Sequence, residues 1–169
     1  MEISHQLTTA AGRGTKSCMV LLEDSERVPD VFLGFGAIPQ SELSDWLKRH
    51  SLVLPSDLVE LWQMTGGGDV FESETILRPS VPTPPNESFI EDDIESANLA
   101  HGANGKPSDL FLFQQGTFLS AVRLPDQKFV TLTREYAVQD SFESLDEWYV
   151  RTLRAEFGER YGLAPSKGR

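Results

Sequence analysis

The chain has 169 residues, 39% apolar and 24% charged, which suits one domain with a hydrophobic core and excludes wholesale disorder. Its apolar runs are too short to cross a bilayer, Met1-Glu2-Ile3-Ser4-His5 lacks the basic-then-apolar pattern of a leader, and the lone Cys18 excludes an intramolecular disulfide, so a cytoplasmic protein is expected. The net charge of −11, from 26 acidic and 15 basic residues, argues against nucleic acid and membranes as partners; it leaves general solubility or a surface made to meet a basic protein.

In chain order, residues 1–16 are polar and small and read as a loose arm. Residues 18–22 and 31–35 read as short strands around a charged turn. Ser41 is then a candidate N-cap for a helix whose Leu43, Trp46 and Leu47 form an apolar stripe, with Lys48, Arg49 and His50 at its negative end. Pro55 breaks the run, Ser56 restarts it as N-cap, Leu58, Leu61 and Trp62 form the buried face, and Gly66 is the natural left-handed stop. Residues 70–77 read as one strand, and Pro79, Pro82, Pro84 and Pro85 mark a connection that is neither central strand nor helix. A short acidic helix is expected over 89–99 and a glycine-containing loop over 101–108. Residues 110–113, 118–124 and 129–133 then form an antiparallel meander. Ser144-Leu145-Asp146-Glu147 fits a capping box that opens a C-terminal helix carrying Trp148, Tyr149 and Leu153.

Chemistry is harder to find. A phosphate-binding glycine loop follows a strand, precedes a helix and carries a lysine in register. Around Gly66-Gly67-Gly68 the order is reversed and no lysine follows until Lys106, so the triplet reads as a helix stop. Glu91-Asp92-Asp93-Ile94-Glu95 lacks the alternating ligands and bend glycine of a calcium loop, and reads as a solvated face or a surface for a basic protein. His5, His50 and His101 have no metal-ligand spacing, and no serine sits in a nucleophile elbow. Trp46, Trp62 and Trp148 fall on apolar helix faces and read as core anchors. No catalytic residue, metal site or cofactor is therefore assigned. Charge is unevenly spread, with eight acidic residues between Asp69 and Glu95 against Arg78 alone.

Two anchors carry a family resemblance: Leu54-Pro55-Ser56-Asp57-Leu58-Val59-Glu60-Leu61 with Gly66-Gly67-Gly68, and Asp140-Ser141-Phe142-Glu143-Ser144-Leu145-Asp146-Glu147-Trp148. With the hairpin of residues 118–133 between them, residues 38–155 resemble the SMI1/KNR4 family, also called the SUKH superfamily. The resemblance implies an α+β fold with a mixed or mostly antiparallel sheet packed against helices. It divides the chain into an arm with short strands over 1–37, the domain over 38–157 and a tail over 158–169. It also implies a non-enzymatic immunity protein that neutralises a polymorphic toxin, nucleases included; the alternative is a regulatory scaffold for endogenous signalling proteins. The family offers no agreed catalytic residues to carry over. The expected contact surface for a basic toxin domain is Asp69, Glu72 and Glu74 with Glu91, Asp92, Asp93 and Glu95.

Overall fold

The computed structural model describes residues 19–86 and 93–163; the readings placed on residues 1–18, 87–92 and 164–169 lie outside it. Met19–Arg27 is a helix, α1, where a strand over 18–22 was expected. A short apolar run cannot by itself distinguish the two states, and tertiary anchors decide here. Leu21 and Asp24, three residues apart and so on one helix face, are both buried. Strand β1 follows at Phe32–Gly34.

Helices α2 (Gln40–Arg49) and α3 (Ser56–Thr65) begin one residue after Pro39 and Pro55. These prolines, both at φ −59° and ψ 142°, occupy the N-cap position, and their carbonyls accept the first helical bonds from Leu43 and Val59. Ser41 and Ser56 therefore lie inside the first turn and cap nothing. Gly66 ends α3 at φ 73°, as its position predicted.

The single strand expected over 70–77 is two strands, β2 (Gly68–Val70) and β3 (Glu74–Ile76). Phe71 and Glu72, both at positive φ, fold the chain back between them. Helix α4 spans Ile94–Ala103, and the meander appears as β4 (Leu110–Gln115), β5 (Leu119–Arg123) and β6 (Lys128–Leu132). A further strand, β7 (Val138–Phe142), has four exposed residues and only Phe142 buried, so it carries little of the apolar signal that marks a strand. Helix α5 (Leu145–Tyr149) starts on Ser144, whose side chain accepts from the Glu147 amide at 3.0 Å. The Glu147 carboxylate reaches back to the Glu143 amide at 2.8 Å, one residue earlier than a regular capping box.

Among the described residues the strands form one seven-stranded sheet, antiparallel throughout, in the order β1 to β7. The fold is α+β with helices packed on the sheet. Alternation along the strands separates two faces. Phe113, Val122 and Phe129 join Trp46, Trp62 and Trp148 in the main core, while Leu110, Leu112, Ala121, Val130 and Leu132 form a smaller cluster on the opposite face. All three tryptophans are fully buried, as core anchors should be.

Residues 19–37 are integral to this body, since β1 pairs with β2 and Val31 lies in the main core. The first residues of the expected tail also pack, with Phe157 and Leu163 both buried. Helix α4 does an unusual job. Strand β3 covers only the end of β4, and the Asn98 amide completes the uncovered edge by donating to the Leu112 carbonyl and accepting from its N–H at 3.0 and 2.8 Å. Lys106 Nζ caps the Leu110 carbonyl on the same strand at 2.5 Å, and burial lowers the pKa of its ammonium. An edge that would otherwise invite another strand is thereby closed.

Candidate functional site

The glycine triplet is more than a helix stop. A methyl on Gly66 would strike the Gly36 carbonyl and the Arg78 guanidinium; one on Gly67, at φ +83°, would sit 2.5 Å from the Ile76 carbonyl oxygen. Gly68 packs as closely against Leu33. The absence of side chains lets the end of α3 and strands β1, β2 and β3 converge. Arg78, buried behind this junction, donates to the Gly36 and Thr83 carbonyls at 2.6 and 2.9 Å. Burial lowers its pKa, opposed by the nearby Glu42 charge.

This junction sets where the expected contact residues fall. Asp69 is half-buried on β2, its carboxylate accepting from Thr75 Oγ1 at 3.1 Å, and Glu72 is exposed in the β2–β3 turn. Tyr161 lies beside Glu72 and Asp30; burial and those two charges push its phenol pKa up. Glu74 does not belong to the surface. It is 0% exposed, on the core face of β3. Its Oε1 accepts from Gln114 Nε2 and the Phe118 amide at 3.0 and 3.1 Å, and its Oε2 from Ser73 Oγ and the Thr117 amide at 2.8 and 2.9 Å. The chain of bonds continues inward, because Ser120 Oγ donates to Gln114 Oε1 at 2.6 Å and Trp148 Nε1 donates to Ser120 Oγ at 3.0 Å. Glu74 thus fastens the β4–β5 hairpin to the helical layer.

The acidic helix contributes differently from expectation too. Asp93 caps α4, accepting from the Ser96 amide at 2.8 Å. Glu95 binds the Trp46 indole N–H and the Ser80 amide, and lies 3.5 Å from His50 Nε2. It ties the proline-rich connection to α2, as does Glu42, which accepts from both the amide and the hydroxyl of Thr83. Glu91 and Asp92 lie outside the described residues. Ile94, next to Asp93, bonds to the Arg78 carbonyl, beyond the far end of β3 from Glu72. Glu72 therefore stands at one end of β3, Asp69 is paired with its middle residue Thr75, and Asp93 and Glu95 stand beyond the other end.

A second group of carboxylates went unread in the sequence. Asp57 in the first turn of α3 accepts from the Leu145 amide of α5 at 2.8 Å; Asp146 in the first turn of α5 accepts from the Val20 amide of α1 at 3.3 Å. Burial raises the pKa of both carboxyls, Asp146 to about 6, with further repulsion on Asp146 from Asp57 and Glu23. Glu60 is raised by burial and by Asp57. The available signal was acidic residues in the first turns of two helices, which satisfy their own helix ends just as readily.

On the face opposite the main core, a cleft of about 750 Å³ opens between the ends of β3–β6. His101 lines it; expected in a loop, it occupies the last turn of α4, with Nδ1 2.8 Å from the Tyr136 hydroxyl. Among the described residues no group of His, Cys, Asp and Glu is arranged to hold a metal ion, and no helix is long and apolar enough to cross a membrane. No family model matches the chain, and no curated protein matches it significantly.

Proposed function

We propose that the chain is a non-enzymatic binding protein of the immunity type, neutralising a basic toxin domain by covering its active site. The observation that supports this reading is the net charge of −11 together with Glu72 exposed in the β2–β3 turn and the half-buried Asp69 on the neighbouring β2. A nuclease active site is built to meet phosphates, so an acidic inhibitor is drawn to it, associates faster and is repelled by competing anions. The family resemblance of residues 38–155 supports the same reading.

Co-expression with the toxin encoded beside it should rescue growth and yield a stoichiometric complex. Reversing Asp69 and Glu72 to lysine should slow association and flatten its salt dependence. Affinity purification from the native cell that returns endogenous signalling proteins and no toxin would replace this reading with the regulatory scaffold.

A further inference from the structure

The outer-face cleft has a chemistry unlike the rest of this acidic chain. Its floor is a row of outward side chains, Thr75, Gln115, Leu119 and Leu132, spanning β3 to β6 or about 14 Å at the usual strand spacing. One wall is the β4–β5 hairpin, where Thr117 is fixed from beneath by the Glu74 carboxylate. The other wall is the β6–β7 turn, which presents Arg134; His101 closes the end. Among the described residues the nearest carboxylate on this face is Asp69, which accepts from the Thr75 hydroxyl at the β2 edge of the floor, at the end away from Arg134; Arg134 makes no ion pair among them. The Glu74 carboxylate lies on the opposite face of the sheet, with its oxygens already occupied by N–H and O–H donors.

Both walls are held in position. Thr133 Oγ1 accepts from the Glu135 and Ala137 amides at 3.2 and 3.0 Å, which leaves its own hydrogen to donate elsewhere. Tyr136 holds a left-handed backbone at φ 69°, a costly conformation for an aromatic residue, and its ring meets His101 edge-on at 5.7 Å. When the tyrosine hydroxyl donates to Nδ1, the tautomer this proposal requires, the imidazole proton sits on Nε2. Guanidinium, imidazole N–H and the hydroxyls of Thr117 and Thr133 then surround a space that contains two leucines, while the Thr75 hydroxyl is committed to Asp69.

We propose that this cleft binds a small hydroxylated organic anion, its oxyanion held by Arg134 and His101 and its carbon skeleton laid over Leu119 and Leu132. The volume falls within the roughly 300–1,000 Å³ of ordinary small-molecule sites. Most of the net negative charge does not oppose it, because charges beyond about 8 Å are screened in physiological salt, and the two carboxylates in contact with the lining, Asp69 and Glu74, already accept from protein donors. The site adjoins the toxin-binding surface at the Asp69–Thr75 bond but does not rest on that reading, and either proposal can fail alone.

The test is titration of the whole chain with ribose 5-phosphate and with ribonate, followed by amide NMR and calorimetry, with ribose and inorganic phosphate as controls. Saturable binding of at least one sugar anion is expected, with shifts centred on Thr117, Thr133 and Arg134. Each control should bind at least tenfold more weakly, and the preferred anion identifies phosphate or carboxylate as the recognised group. Arg134→Ala should weaken binding about tenfold, as loss of a charge-assisted pair does, and Tyr136→Phe severalfold through loss of the His101 orientation. Arg49→Ala, on α2, should change nothing. Absence of saturation at millimolar concentration, equal binding by Arg134→Ala, or shifts away from the cleft would each overturn the proposal.

Discussion

Replacing Glu74 by alanine separates a structural carboxylate from a surface one. The wild-type side chain is fully buried and accepts four hydrogen bonds, from Ser73 Oγ, Gln114 Nε2 and the amides of Thr117 and Phe118. Ser73 and Thr117 are exposed, so water can take their bonds. Gln114 is buried and Phe118 half-buried, and their donors lose a partner without gaining one. Gln114 Nε2 keeps only the Phe118 carbonyl at 3.1 Å. Each buried donor left unmade costs about 1–3 kcal/mol, which places Glu74→Ala at about 2–6 kcal/mol of lost stability. At about 2–4 °C per kcal/mol for a chain of this size, the midpoint of thermal unfolding should fall by about 4–24 °C. Glu74→Gln keeps one acceptor but turns an amide hydrogen toward donors, and should fall between alanine and wild type. Circular dichroism melts read both variants. An alanine variant melting within a degree or two of wild type would refute the buried network and return Glu74 to the surface.

Gly67→Ala must accept both φ +83° and a methyl 2.5 Å from the Ile76 carbonyl, whereas Gly162→Ala meets φ +82° in open space. The first should cost about 3 kcal/mol or more and the second about 1 kcal/mol, a contrast that urea unfolding of the pair resolves. Asp146 has its pKa raised from 3.8 to about 6 by burial, so between those values the folded chain binds more protons than the unfolded one. Its contribution is therefore fully present below pH 4 and is lost as pH rises toward 6. Asp146→Asn keeps an acceptor for the Val20 amide and should flatten that slope while gaining about 1 kcal/mol at pH 7, discounted because the carboxylate is half-exposed. A steeper pH dependence in the variant would contradict the assignment. Reversal of Asp69 and Glu72 should leave the melting temperature within about 2 °C of wild type, because neither residue holds a buried donor.

The sequence was legible where local chemistry and tertiary packing agree. Gly66 needs no neighbour to end α3, and the alternation of residues 110–132 marks the meander without reference to the helices. Where tertiary contacts decide, local reading fails. Residues 19–22 could have been strand, and become helix because Asp24 has to reach the Tyr149 hydroxyl at 2.7 Å and Arg154 Nε at 2.8 Å. Those two partners stand five residues apart across the π-helical turn Val150–Arg154, whose wider i to i+5 winding carries Arg154 back to the tyrosine side. Burial and Asp24 push the tyrosine pKa up, so the phenol stays a donor to Asp24. No pattern in residues 149–154 announces this. The outer cleft was illegible for the same reason, since Thr75, Gln115 and Leu119 become one row only when β3, β4 and β5 pair.

The carboxylates show how far composition overstates a surface. Asp24, Glu42, Asp57, Glu74 and Glu95 each bind donors from distant parts of the chain. Several tie a helix to a strand, turn or connection that apolar packing alone would leave free to slide. A leucine layer specifies contact but little register, whereas an acceptor with a designated amide fixes both. Part of the acidic count therefore specifies the fold and contributes little to an external field. Of the carboxylates assigned to a partner from sequence, Glu74 is wholly internal, and Asp93 and Glu95 are tied to a helix cap and to Trp46. Under the proposed function, the sequence-assigned carboxylates left to steer a basic partner among the described residues are Asp69 and Glu72, with their neighbour Asp30. Two or three charges on one rim give a weak salt dependence and a defined direction of approach. A uniformly acidic surface would give a strong salt dependence and no direction, and the association kinetics of the charge-reversed variant distinguish the two.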